Sequence, residues 1–106
     1  MTRSKTHPGS VLRAELEARG MSANRLALTI RVPANRITSI LRGQRAVTAE
    51  TAVRLGRFLG TGPEFWMNLQ SAYDLSVVEN AKGRVIEDEV PAGKRPRNQP
   101  LTVSRP

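Results

Sequence analysis

The chain has 106 residues, with 17 Lys and Arg against 9 Asp and Glu, a net charge of +8, one His and no Cys. That length holds a single domain with a modest core, and without Cys neither a disulfide framework nor a thiolate metal site can form. The positive charge favours a polyanionic partner and is unevenly placed: seven Arg lie between Arg25 and Arg57 against the one acid Glu50, whereas Phe58 to Asn80 carries Glu64, Asp74 and Glu79 with no Lys or Arg.

The apolar spacing is helical almost throughout. Pro8 suits a first helical turn and Gly20 a helix end, and between them Val11, Leu12 and Leu16 share a face. His7 stands just ahead of Pro8 and reads as a capping or solvated group, not a catalytic one. Ser22 is the N-cap of a second helix that turns Leu26, Ala27 and Ile30 inward. Val32 and Pro33 break the pattern. Ile37, Ile40 and Leu41 resume it in a third helix that ends at Gly43. Thr48 caps a fourth helix, with Ala52, Leu55, Gly56 and Leu59 on its inner face. Thr61 and Glu64 have the spacing of a capping box, and Pro63 suits the first turn of a fifth helix whose seam runs Phe65, Trp66, Leu69, Tyr73, Val77. Phe65 and Leu69 are the residues of that seam expected in the core. Four of the seven Pro follow Asn80. The expected organisation is therefore an all-α domain over 1–80 and a basic, Pro-rich tail over 81–106, extended or disordered, in which "RVIEDEV" is a candidate short strand.

Two short helices joined across Val32 and Pro33 match a helix-turn-helix, which needs a small residue where its helices cross. Ala27 meets that need. Counted from Ala23, the residues Leu26, Ala27, Ile30, Val32, Ile37 and Ile40 fall at the fourth, fifth, eighth, tenth, fifteenth and eighteenth positions of the motif. The ninth position, usually Gly because the turn has a positive φ, is Arg31. Either the fold carries there a strain of about 1 kcal/mol, or the turn relaxes away from that conformation.

At about 100° per residue, Ile37, Ile40 and Leu41 define the inner face of the third helix. Asn35, Ser39 and Arg42 lie opposite, flanked by Arg36 and Thr38, and these five are the candidate base-reading residues. Arg bonds guanine and Asn bonds adenine bidentately, while Ser and Thr are permissive. Ser22, Asn24 and Arg25 at the start of the second helix, with Gln44 and Arg45 after the third, are candidate phosphate contacts, because helix N-termini and Arg hold anions without sequence preference.

The stretches "HPG", "VPANRI" and above all "PEFWMNLQSAYDL", set in the run from residue 7 to 80, resemble the antitoxins of the HigA family within the Xre-type helix-turn-helix class. The resemblance implies a five-helix, lambda-repressor-like DNA-binding domain that forms a homodimer on double-stranded operator DNA. It also implies repression of its own operon and neutralisation of a toxin, in that family a ribosome-dependent mRNA endonuclease of the HigB type. Asn35 and Arg36 of "PANRI" fall on the family's recognition helix, and Arg31 departs from the family's usual Gly.

Paired carboxylates, a Gly-rich phosphate loop and a His cluster are all missing from the sequence, so neither an enzyme nor a bound cofactor or metal is expected. No apolar run approaches the length of a membrane span, which makes a cytoplasmic protein with no membrane partner the expectation. A solitary Xre-type repressor without a toxin partner would look the same from Leu12 to Leu59. Acidic surface on the first and fifth helices, with Glu87 to Glu89 as an optional addition, is where a cationic toxin would be met.

Overall fold

In the computed structural model, which describes residues 5–95, five helices follow one another: α1 (Pro8–Arg19), α2 (Ala23–Ile30), α3 (Ala34–Leu41), α4 (Ala49–Leu59) and α5 (Pro63–Glu89). The ends of the first four helices are set by local chemistry. His7 Nδ1 accepts the Gly9 N–H at 2.9 Å to open α1, and Gly20, at φ 62°, closes it. Ser22 Oγ accepts the Arg25 N–H at 3.1 Å at the start of α2, and Thr48 caps α4 in the same way through the Thr51 N–H. Each such cap satisfies an amide that the helix itself leaves unpaired.

The core gathers Leu12 and Leu16 of α1, Leu26, Ala27 and Ile30 of α2, Ile37 and Ile40 of α3, and Ala52, Leu55 and Leu59 of α4 around the wholly buried Trp66. Two glycines allow helices and turns to come together. A Cβ on Gly9 would collide with the Ile40 carbonyl of α3, and one on Gly56 would lie 2.5 Å from the Pro63 nitrogen at the entry to α5. Both sites therefore need Gly for space, not for backbone conformation.

Helix α5 corrects three expectations. The capping box does not form: the N-cap is Gly62, which has no side chain to offer, and Thr61 Oγ1 donates to the Gly62 carbonyl while accepting Trp66 Nε1–H at 2.8 Å. That bond draws Trp66 inward and leaves its neighbour Phe65, expected in the core, 40% exposed. The two rings still meet edge to face at 5.0 Å. Leu69 and Tyr73 are half-buried, and Val77 is exposed.

The third correction concerns length. The helix does not stop at Asn80 but continues to Glu89, so "RVIEDEV" is helical and not a strand. All residues from Val77 to Glu89 apart from Gly83 are exposed. From Pro91 to Arg95 there is no regular structure, and the remainder of the expected tail, 96–106, lies outside the described residues.

Arg31 has φ 63° and ψ 49°, and it is the one residue other than Gly at positive φ among those described. The left-handed turn expected of the motif is thus made by a residue with a Cβ, at a cost in strain. Arg31→Gly is expected to raise stability by a few tenths to about 1 kcal/mol, the relief of strain being offset in part by the freer unfolded chain. A thermal melt of the free protein checks this, and a lower Tm for the variant would contradict it.

Candidate nucleic-acid interface

The recognition segment is anchored from three sides. Its inner residues Ile37 and Ile40 are wholly buried. From α1, Arg13 Nη2 donates to the Leu41 carbonyl at 3.3 Å. From α5, the buried Gln70 accepts the Val47 N–H at 2.7 Å and donates to Asp74 at 2.9 Å, fixing the loop that leaves α3. Sequence reasoning passed over Arg13 and Gln70. Their polarity hid them from an apolar pattern, and only the helix packing reveals their partners.

Arg13 belongs to a recurrent device. Arg54 Nη1 donates to the Ile30 carbonyl at 3.0 Å, and Arg19 Nη2 to the Leu59 carbonyl at 3.1 Å. The last residues of α2, α3 and α4 thus each receive a guanidinium from another helix, where orphan carbonyls and the negative end of the helix dipole favour a cation. Arg19 and Arg54 are further paired with Glu15 and Glu50 one turn away. These Arg each spend at least one donor inside the domain.

Six other Arg are unspent. Among the described residues, the side chains of Arg25, Arg31, Arg36, Arg42, Arg45 and Arg57 make no hydrogen bond or ion pair. On the outer side of α3, Asn35 and Arg42 are exposed, while Arg36, Thr38 and Ser39 are half-buried. The side-chain donors of Asn35, Arg36, Ser39 and Arg42 are free, whereas Thr38 Oγ1 donates to the Asn35 carbonyl at 3.2 Å and retains only acceptor capacity. Arg42 lies one residue beyond the helix as its C-cap.

The candidate phosphate residues Ser22, Asn24, Arg25, Gln44 and Arg45 are all exposed. Ser22 uses its lone pair on the Arg25 amide, which leaves its hydroxyl proton for an anion. The arrangement offers a short helix whose free face carries Asn, Arg and Ser donors, bordered by a helix N-terminus and mobile guanidiniums. Such a face suits base edges in a major groove between two phosphate strands.

No helix among the described residues is long and apolar enough to cross a membrane. The chain matches the helix-turn-helix family model over residues 12–66, which spans all of α2, α3 and α4. It is 47% identical over 77 residues to virulence-associated protein I of Dichelobacter nodosus, covering 72% of this chain and 71% of that protein. An addiction module antidote protein of the HigA family from Coxiella burnetii shares the fold at a TM-score of 0.82 and 48% identity, over 86% of this chain and 100% of its own. Pseudomonas aeruginosa antitoxin HigA, solved with the higBA promoter, follows at a TM-score of 0.78 and 43% identity, over 80% and 94%. With the motif positions filled, the α2–α3 pair formed and these relatives matched over 72–86% of this chain, it belongs to the Xre-type helix-turn-helix proteins and, within them, to the HigA antitoxin family.

Proposed function

We propose that this protein binds operator DNA as a two-fold pair, represses its own operon and neutralises a cationic mRNA endonuclease, acting in the cytoplasm. The observation that carries the DNA reading is the free outer face of α3, where Asn35, Arg36, Ser39 and Arg42 keep every side-chain donor unspent. Asn35→Ala and Arg42→Ala should each weaken operator binding by about 1–3 kcal/mol, with a smaller loss on random duplex. Titrated anisotropy on both duplexes decides the point. Equal losses on the two would mean that these residues touch phosphates only.

The two-fold arrangement is supported by the far half of α5. Leu75, Val78, Val85 and Ile86 are exposed along one side of it, and at about 100° per residue that stripe lies opposite the side bearing buried Trp66. A free helix of this length is marginal in water, and covering the stripe with the same stripe of a second copy would stabilise both. Two copies so joined would give an inverted-repeat footprint with half-site centres about 34 Å apart. A footprint of one half-site, bound by monomer, rejects that arrangement.

Toxin neutralisation is supported by family membership and by acidic groups on the helices that do not face DNA: Glu17 on α1, and Glu64 and Glu79 on α5, all exposed. A basic endonuclease meets complementary charge there. Co-expression with the product of the neighbouring gene is the direct test. Relief of growth inhibition together with co-purification supports the antitoxin role, whereas operator binding without either leaves a solitary repressor.

A further inference from the structure

A cleft of about 450 Å³ opens between the end of α2 and the outer side of α4, lined by Thr29, Ile30, Arg31, Arg54, Arg57 and Phe58. Three guanidiniums converge on it. Arg54 is fixed by the Ile30 carbonyl and Glu50, while Arg31 and Arg57 make no hydrogen bond or ion pair among the described residues. Glu50 answers the charge of Arg54, which leaves those of Arg31 and Arg57 without a counter-charge in the depression. A second, independent observation points to the same place: Arg31 stands in a left-handed turn that Gly would occupy without strain.

The cleft begins at the turn between α2 and α3, where Arg31 stands four residues before Asn35, and runs back along α4 to Arg57, nine residues or about 13 Å from Thr48. It is an open depression bounded by two short helical stretches and not an extended groove. Phe58, 38% exposed at its rim, offers a ring for stacking beside the guanidiniums. We infer that this cleft binds a small phosphorylated ligand that also carries a flat ring, that is, a nucleotide, with Arg31 and Arg57 on the phosphates and Phe58 against the base. The inference is independent of the operator and toxin readings, because it uses none of their residues.

The test is calorimetric titration of the full chain at about 150 mM salt, where diffuse attraction of anions to a basic surface is screened. The probes are inorganic phosphate, tripolyphosphate and ATP. Saturable one-to-one binding of ATP is expected, weakened at least about tenfold by Arg57→Ala and likewise by Arg31→Gly. The second variant relieves backbone strain, so a loss of binding cannot be ascribed to misfolding. Arg42→Ala on the DNA face should leave the ATP affinity unchanged. With a base–ring stack at work, ATP should bind roughly fivefold or more tightly than tripolyphosphate, and Phe58→Leu should remove that difference. Binding that is not saturable, or that responds to Arg42 and not to Arg31 and Arg57, overturns the site. Equal affinities for ATP and tripolyphosphate, untouched by Phe58→Leu, overturn the nucleotide.

Discussion

Trp66→Ala should lower the stability of the domain by about 3–5 kcal/mol, the usual loss for removing a fully buried large aromatic side chain. The ring is wholly enclosed, and its packing joins α5 to the rest of the core. Truncation opens a cavity among Leu and Ile side chains held by several helices at once, so the surroundings have little freedom to collapse into it. It also releases Thr61 Oγ1 from the bond that orients the start of α5. A domain of this size has about 5–15 kcal/mol in all, and the variant should be close to unfolding at 37 °C. Urea titration with an unchanged slope and a much lower midpoint is the expected record. A loss below about 1 kcal/mol would mean that the indole is not the centre of the core.

Gly9→Ala is expected to cost about 3 kcal/mol, at the upper end of overpacking, and to weaken operator binding as well. Helix α1 lies against the backbone of α3 at this point, with the new methyl directed at the Ile40 carbonyl. That carbonyl accepts the Gly43 N–H at 2.9 Å, so displacing it disturbs the turn from which Gln44 and Arg45 project. Gly20→Ala provides the comparison. Gly20 has φ 62° and nothing within 4 Å of an added Cβ, so its cost is conformational, about 1 kcal/mol, with no change in DNA affinity. If Gly9→Ala costs no more than Gly20→Ala in denaturant unfolding, close approach is not what requires the glycine.

The contrast between these glycines shows what a sequence can disclose. Gly20, Ser22 and Thr48 were legible because a helix end needs a partner for its unpaired backbone groups, and that need is local. The inner residues of α2 and α3 were legible for a related reason: the 3.6-residue period and the small residue at the crossing are written along the chain. For Arg31 the chain shows that the motif asks for a positive φ, but whether the turn holds it or relaxes is decided by the fold, which holds it. Gly9 could not be singled out, since what it needs is space against a helix about thirty residues away.

The choice between Phe65 and Trp66 was out of reach for a similar reason. Neighbours on a helix differ by about 100°, and which of them faces inward is fixed by the entry geometry at Gly62 and the hydrogen bond to Thr61. The continuation of α5 to Glu89 was hidden because its charged residues and Gly83 resemble those of a loop, and none of the described residues covers its apolar side. For the candidate interface, the chemistry of α3 could be read from its residues. The Arg that cap helix C-termini could not be told from the Arg left free, because the difference lies in which carbonyl each one reaches.

Since α5 is one unbroken helix from Pro63 to Glu89, the direction in which its outer stripe faces is a matter of counting. Inserting a single residue after Ser76 would swing Val78, Val85 and Ile86 by about 100° relative to Trp66 and point them at a different quadrant of solvent. Inserting seven would return them to within about 20° of their present azimuth while carrying them some 10 Å further out, close to three base-pair steps along a duplex. The helix thus behaves as a threaded rod: a change in its length keeps the heading of its outer stripe only when it comes in close to whole turns.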